Sequence, residues 1–244
     1  MKVFLAAALL LLSAGAAAQD YDREQRWAAE IVPGLVVGDA VRLRLPSGRD
    51  FLGLYTEAKG AKTAIVLVHG IGVHPDHSII GTLRAALADE GYATLSLQMP
   101  VLAAEEGGRE AYRPLFPEAA ARIQAGADWL AAKGYARVVL LSHSLGSAMA
   151  GAYFERTMDA PFAAWICMGL SGPFGRMGNV KLPVLDVYGE HDLASVLRAD
   201  WRRKVALDAL PGSAQARIPG ANHFYAGREK ELVQVLKPFL ARIK

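Results

Sequence analysis

The sequence predicts an α/β fold with a mostly parallel sheet, because short apolar runs and amphipathic segments alternate along the 244 residues. The apolar runs are rich in β-branched residues, which is typical of strands buried on both faces of a sheet. With 52% hydrophobic and 21% charged residues, the chain can bury one substantial core. A disordered chain is therefore excluded, and the sequence shows no internal repeats.

The first 18 residues have the pattern of a secretory signal peptide, with Lys2, an apolar stretch over 3–12 and small residues up to Ala18. An uncleaved anchor is the weaker interpretation, because the apolar stretch is shorter than the ~20 residues of a membrane span. Cleavage after Ala18 leaves residues 19–244 as a single domain. We therefore expect a periplasmic or secreted protein with no stable membrane insertion.

Charge and cysteine content limit the partners. The net charge of +3, without a basic run, excludes a nucleic-acid groove. Cys167 is the only cysteine in the chain, so no intrachain disulfide forms and packing alone must stabilise the exported domain. A small-molecule substrate is the predicted partner, and the oligomeric state stays open.

The predicted elements begin with an amphipathic helix over 20–31, which is expected to cover a sheet edge. Residues 41–45 and 51–56 alternate around a P-S-G-R turn, a pattern that predicts an N-terminal antiparallel hairpin. The elements that follow are a strand at 62–68, a helix at 78–90, a strand at 92–98, a helix at 116–133, strands at 163–169 and 184–188, a helix at 194–210, a strand at 214–218 and a helix at 228–243.

Two connections bear on the site. Residues 101–116 form a polar, Gly-containing connection that is longer than most and is expected to form the rim of a pocket. Residues 170–183 separate two strands and leave no room for a large lid domain.

Residues 136–147, A-R-V-V-L-L-S-H-S-L-G-S, predict a strand, a sharp turn and a helix, with Ser144 at the apex of the turn. Small residues are needed two positions on either side of the apex, where the strand and helix backbones nearly touch. Gly146 meets this requirement, and Ser142 replaces the usual glycine. A small-residue turn without chemistry is the alternative interpretation of this segment.

Histidines lie just past the predicted strand ends, where ligands bind in a parallel sheet. All six follow this pattern: His69, His74, His77, His143, His191 and His223.

Four motifs carry a resemblance to a known family: H-G-I-G at 69–72, S-H-S-L-G at 142–146, G-E-H-D at 189–192 and A-N-H-F at 221–224. With the order Ser, Asp, His, they make the chain after the leader resemble the serine-nucleophile branch of the α/β-hydrolase superfamily. Residues 65–102 further resemble a little-characterised bacterial branch with no settled substrate. The resemblance implies an α/β-hydrolase fold, here without a large lid.

The same resemblance implies catalytic roles. Ser144 is the predicted nucleophile, His223 the base and Asp192 the acid that orients the base, because a serine hydroxyl needs such activation at neutral pH. Asp186 within a strand and Glu190 one turn too early are weaker candidates for the acid. Asp192 is also suited to cap the next helix.

Backbone amides are suited to stabilise the oxyanion of acyl transfer, and those of Ile71 and Leu145 are the candidates. The expected pocket-lining residues are His69, Gly70, Gly72, His74 and His143.

A metal site is the alternative interpretation of His74, Asp76 and His77, but their spacing offers no recognised fourth ligand. We expect these residues to line the pocket mouth or cap the following helix. Four aromatic residues are predicted to lie in the core: Trp129, Phe162, Trp165 and Phe239.

The predicted function is an exported serine hydrolase that cleaves an ester, thioester or amide with a small to medium acyl group, without metal or cofactor. The alternatives are a hydrolase-shaped binding or accessory protein of the cell envelope and an acyltransferase with the same triad. The sequence leaves open the physiological substrate and the choice between water and another acceptor.

Overall fold

The computed structural model describes residues 19–104 and 107–243. The predicted signal peptide over residues 1–18 lies outside the described residues. So do Glu105 and Glu106 of the long connection. Among the described residues, no helix is long and apolar enough to cross a bilayer.

One sheet organises the described residues. Its strands, in chain order, are β1 (Asp39–Arg44), β2 (Asp50–Thr56), β3 (Thr63–Val68), β4 (Ala93–Leu97), β5 (Arg137–His143), β6 (Ala164–Met168), β7 (Val184–His191) and β8 (Ala214–Asn222). Their order across the sheet is β1-β2-β4-β3-β5-β6-β7-β8. The two pairings made by β2 are antiparallel, and the pairings from β4 to β8 are parallel. This arrangement confirms the predicted mostly parallel sheet with an N-terminal antiparallel hairpin.

Helices cover both faces of the sheet. They are α1 (Tyr21–Ile31), α2 (Ser78–Asp89), α3 (Phe116–Ala132), α4 (Leu145–Arg156), α5 (Ala194–Leu197), α6 (Asp200–Asp208) and α7 (Glu229–Ala241), with 3-10 turns at Val32–Gly34, Arg109–Leu115 and Met177–Asn179. The connection between β6 and β7 holds only the last of these turns and no inserted domain.

The central strand β3 is apolar throughout because helices cover both of its faces. Val66 faces the core under α3 and α4, whereas Ile65 and Leu67 face the core under α2 and α7. All three are fully buried, and burial of such a side chain contributes about 1.5–3 kcal/mol. A strand covered on both faces therefore loses the alternation of polar and apolar residues.

The prediction of one continuous helix over 194–210 is wrong, because this segment is divided into α5 and α6 at Ala199. The division lets the buried Arg203 donate to the Val196 carbonyl at 3.1 Å and pair with Asp186 at 2.8 Å. The Arg203 guanidinium thus bonds a carbonyl that a continuous helix would pair with the backbone N–H of Asp200.

Two other expectations differ from the structure. Helix α1 packs through Ala28 on Leu52 and Leu54 of the second strand and does not merely cover the edge strand. The 101–116 connection is only partly a polar rim, since it begins with the buried Val101 and Leu102.

Candidate active site

Ser144 occupies the sharp turn between β5 and α4. Its φ of 57° and ψ of −120° lie in a region that non-glycine residues rarely adopt. The turn brings α4 very close to the end of β3, because a Cβ on Gly146 would lie 2.4 Å from the His69 carbonyl oxygen. The serine side chain is therefore held on a strained backbone at the carboxyl edge of the sheet.

Ser142 explains how the turn tolerates a residue other than glycine. Its hydroxyl oxygen accepts a hydrogen bond from the indole nitrogen of Trp165 at 2.8 Å and lies 3.1 Å from the Ser147 hydroxyl. Both Ser142 and Trp165 are buried. The hydroxyl thus satisfies an indole N–H that otherwise lacks a partner in the core.

Three side chains from different strand ends form a hydrogen-bonded chain. The Ser144 Oγ lies 2.9 Å from His223 Nε2, and His223 Nδ1 lies 2.6 Å from Asp192 Oδ1. Because a carboxylate can only accept, Nδ1 donates to Asp192 and Nε2 is left to accept from the serine hydroxyl. The structure therefore brings together all three residues that the sequence assigned to catalysis.

Longer strands than predicted place two members of this chain. β7 extends to His191 and β8 to Asn222, and these two residues pair beyond a register shift that follows Gly189. Asp192 and His223 consequently emerge side by side. The His223 ring then crosses the end of β6, where a Cβ on Gly169 would lie 2.9 Å from its Cε1, so only glycine fits.

Asp192 is held as a carboxylate. Burial acts to raise its pKa, but hydrogen bonds from His223 and from the backbone N–H groups of Gly189 and Leu193 outweigh it, and the pKa lies below its usual value. Leu193, and not Asp192, is the N-cap residue of α5. The side chain therefore serves the histidine rather than the helix.

The weaker acid candidates are engaged elsewhere. Asp186 pairs with Arg203 inside the core, and Glu190 pairs with Arg217 at the surface at 2.9 Å. Neither carboxylate contacts His223.

Solved structures share this architecture. A serine hydrolase without a lid from Xanthomonas campestris aligns with a TM-score of 0.65 and 15% identity over 85% of this chain and 95% of its own. A putative α/β hydrolase from Agrobacterium tumefaciens aligns with a TM-score of 0.64 and 18% identity, over 83% and 95% of the two chains. The chain has the α/β-hydrolase fold. A dienelactone hydrolase from Anabaena variabilis has the same fold, with a TM-score of 0.64 and 20% identity over 83% of this chain and 96% of its own.

Sequence comparison adds a family match. Residues 3–121, just under half of the chain, match a family described as a protein of unknown function, DUF3530. The match ends before Ser144, so it does not include the hydrogen-bonded chain. No curated protein matches the sequence.

Within this α/β-hydrolase fold, His69 orients the loop that follows β3. Its Nε2 accepts the backbone N–H of Met99 at 2.8 Å, so Nδ1 carries the hydrogen and donates to the Gly70 carbonyl at 2.9 Å. Burial lowers the pKa of His69 to about 3, which keeps the ring neutral. Because C=O and N–H point in opposite directions across a trans peptide, the Ile71 N–H points away from this ring.

His143 holds the backbone of His223, the histidine of the hydrogen-bonded chain. Its Nε2 donates to the backbone carbonyl of His223 at 2.9 Å, and the two ring centroids lie 4.9 Å apart. Burial, together with the neighbouring His223, lowers the pKa of His143 to about 4. A neutral ring therefore fixes the backbone from which His223 projects.

A cavity of about 230 Å³ opens beside Ser144 and His223. The expected residues His69, Gly70 and His143 line it, together with Ile71 of the predicted amide pair. His77, which was expected at the pocket mouth or as a cap of the next helix, lines the cavity and is the N-cap residue of α2. Arg109 of the 101–116 connection, which was expected to form a rim, also lines it. Residues that the sequence analysis did not assign to the pocket complete the lining: Val73, Ser78, Ile79, Ile80, Ser171, Leu193 and Phe224. No local pattern marks these residues, because loops distant in sequence bring them together.

Contrary to the prediction, Gly72 and His74 lie outside this lining. The Gly72 carbonyl accepts a hydrogen bond from Arg23 of α1 at 3.1 Å. The His74 ring packs edge-on against Trp27 and His77, with centroid distances of 5.7 and 5.4 Å. Both residues therefore connect the loop after β3 to neighbouring elements.

The proposed ligands of the alternative metal site do not converge. The Asp76 carboxylate pairs with Arg84 at 2.7 Å. In the described part of the chain, no group of three or more His, Cys, Asp or Glu residues is arranged to hold a metal ion.

The predicted core aromatic residues lie at different depths. Phe162, Trp165 and Phe239 are buried, whereas Trp129 is partly buried and packs edge-on against Tyr55 at 5.0 Å.

Proposed function

We propose that this protein is a serine hydrolase that cleaves an ester, thioester or amide bond through an acyl-enzyme. Ser144 is the nucleophile, His223 the general base and Asp192 the residue that orients and stabilises the protonated histidine. The hydrogen-bonded chain of these three side chains, on the strained turn at the sheet edge, is the observation that supports the proposal most directly.

The proposed reaction moves one proton back and forth. As the Ser144 Oγ attacks the carbonyl carbon, its proton passes to His223 Nε2 and a tetrahedral oxyanion forms. Collapse of this intermediate breaks the bond to the leaving group, which takes the proton from His223. Water then attacks the acyl-enzyme with the same assistance and releases the acid.

The oxyanion requires fixed donors, and two backbone amides are suited to this role. Leu145 is the first residue of α4, and its N–H has no acceptor within the helix. The Ile71 N–H belongs to the Gly70–Ile71 peptide, whose carbonyl oxygen accepts a hydrogen bond from His69. Donors fixed before the reaction stabilise the transition state without a cost of reorganisation.

The size of the cavity favours short or medium acyl groups. Its volume of about 230 Å³ is below the ~300 Å³ at which pockets for drug-sized ligands begin. We also propose that the protein acts after export, on the basis of the signal-peptide pattern over residues 1–18.

A fluorophosphonate probe tests the proposal, because it reacts covalently with an activated serine. We expect labelling and hydrolysis of 4-nitrophenyl acetate by the wild-type protein, and neither by Ser144→Ala. An unlabelled wild-type protein without esterase, thioesterase or amidase activity would favour the binding protein. Transfer to an added alcohol or amine that outpaces hydrolysis would favour the acyltransferase.

A further inference from the structure

Arg109 introduces a positive charge into the mainly apolar cavity beside Ser144. Among the described lining residues it is the only arginine or lysine, and none of them is an aspartate or glutamate. The histidines of the lining include the buried His69 and His143, whose low pKa values keep them neutral. Arg109 is therefore the one permanently charged side chain among the described lining residues.

Within the described residues, Arg109 lacks the carboxylate partner that the buried arginines have. Arg84, Arg122 and Arg203 each pair with a carboxylate, at 2.7, 2.9 and 2.8 Å. Arg109 makes one long contact, 3.4 Å from its Nη1 to the Ser171 carbonyl oxygen. Burial lowers the pKa of Arg109, although an arginine stays charged at neutral pH. Among the described carboxylates, Glu110 acts on this cation but already pairs with Arg113, so the charge of Arg109 is poorly compensated and an anionic ligand would correct this.

A second cavity of about 320 Å³ meets the first at Arg109 and Ser171. Its carboxylates are already engaged, because Glu110 pairs with Arg113, and Glu155 accepts the backbone N–H of Arg176 at 3.0 Å. Four arginines face these two glutamates in its lining: Arg109, Arg113, Arg156 and Arg176. The space on the far side of Arg109 is therefore also positive.

We propose that Arg109 binds an anionic group of the substrate, for which carboxylate is the simplest case, so that the enzyme prefers anionic esters over neutral ones. The preference in turnover rests on the proposed hydrolase function. In this arrangement the apolar cavity takes the uncharged part of the substrate and the guanidinium takes the anion through two parallel N–H donors.

Two matched substrate pairs test the inference and determine which side of the scissile bond carries the charge. Mono-4-nitrophenyl glutarate against 4-nitrophenyl pentanoate tests the acyl side. The acetate ester of 3-carboxy-4-nitrophenol against 4-nitrophenyl acetate tests the leaving group. We expect a higher kcat/KM for the anionic member of at least one pair, and Arg109→Gln should lower that ratio by about tenfold or more.

The control is Arg137→Gln, which removes one exposed positive charge at the opposite end of β5. It should keep the wild-type ratio, and Arg109→Lys should keep part of it. A merely structural role of Arg109 would change both members of a pair equally. Equal kcat/KM values in both pairs for the wild-type protein, or a ratio unchanged in Arg109→Gln, would overturn the inference while Ser144-dependent hydrolysis of neutral esters stood.

A binding measurement keeps the test independent of turnover. In the Ser144→Ala background, calorimetry would compare glutaric acid mono-anilide with its neutral analogue, pentananilide. Tighter binding of the anionic anilide, lost on adding Arg109→Gln, supports the inference even if no ester is hydrolysed. Equal binding of the two anilides contradicts it.

Discussion

At the scale of single residues, the site depends on side chains kept in one protonation state. Asp192 stays ionised because its hydrogen-bond donors outweigh its burial. His69 and His143 stay neutral because burial disfavours their charged forms. Each neutral ring also donates to a backbone carbonyl, so protonation states and backbone positions are coupled.

The three residues of the hydrogen-bonded chain should behave as a unit. We expect Ser144→Ala and His223→Ala each to lower kcat by about 10⁴-fold or more, and the double variant to lose little beyond the larger single effect. Asp192→Asn should also lower kcat, since it disturbs the tautomer of His223. The measurement is the kcat for an activated 4-nitrophenyl ester. Additive losses in the double variant would contradict action as a unit.

His143 should make stability depend on pH. Its pKa of about 4 in the folded protein is below the usual value of about 6.5 in the unfolded chain, so the unfolded state binds more protons between these pH values. The free energy of unfolding should therefore fall as pH falls through this window, by up to about 1.4 kcal/mol per pH unit from this residue.

Urea unfolding at several pH values between 4 and 7 measures this dependence. His143→Gln should show a shallower slope, because an amide can donate to the His223 carbonyl but does not titrate. His191→Gln, at an exposed position, is the matched control and should keep the wild-type slope. Parallel curves for His143→Gln and the wild-type protein would show that the assigned titration is wrong.

At the scale of elements, helix α1 connects the N-terminal part of the described chain to the site. Its Arg23 donates to the Gly72 carbonyl at 3.1 Å and to the Leu102 carbonyl at 2.6 Å, and its guanidinium stacks on Trp27 at 4.5 Å. The buried Glu24, one residue later, pairs with Arg122 of α3. The helix thus holds the loop after β3 against the body of the fold.

Arg23→Ala should lower kcat by about tenfold, because the loop that carries the Ile71 amide loses a fixed contact and the oxyanion donors become less preorganised. Arg23→Lys should recover part of this loss. Arg26→Ala is the matched control on the same helix, since Arg26 is exposed and lies 3.8 Å from Asp20. An unchanged kcat in a folded Arg23→Ala variant would show that α1 does not contribute to the arrangement of the oxyanion donors.

At the scale of the whole molecule, strand order assembles the site. β3 and β5 are neighbours, with Val68 opposite Ser142, so the loop after β3 lies beside the turn that holds Ser144. β7 and β8 form the other end of the sheet and carry Asp192 and His223. The parallel direction of these four strands delivers all the candidate residues to one edge.

The cavity at this edge should limit acyl-chain length. In a series of 4-nitrophenyl esters, kcat/KM should be highest between acetate and hexanoate and should fall for longer chains. A longer chain has to leave the mainly apolar cavity of about 230 Å³ and pass Arg109 into the arginine-lined second cavity, which is unsuited to an alkyl chain. No increase is expected when the longest ester forms an emulsion. A rate that rises steadily to palmitate and increases at the interface would contradict this prediction.

Export should remove the leader from the mature chain. Expressed in a secreting bacterial host, the protein should be recovered outside the cytoplasm with Gln19 as its first residue. N-terminal sequencing tests this, and intact Met1 on membrane-bound protein would contradict it.

Much of the site was predictable because its signals are local. The end of a β-branched run at Ser144, the glycine two residues later, and the order of Ser144, Asp192 and His223 are all readable along the chain. Hydrophobic periodicity likewise predicted the layers of the sheet, since it reflects which faces are buried.

Tertiary structure alone decided the contacts between distant segments. The division at Ala199 accompanies the ion pair of Arg203 with Asp186, and Arg109 faces the cavity with its side chain beside the Ser171 carbonyl. The Gly72 carbonyl turns to Arg23, 49 positions away in sequence. A local pattern records the environment that one segment requires, whereas such contacts depend on strand order and on loop conformations, which no single segment encodes.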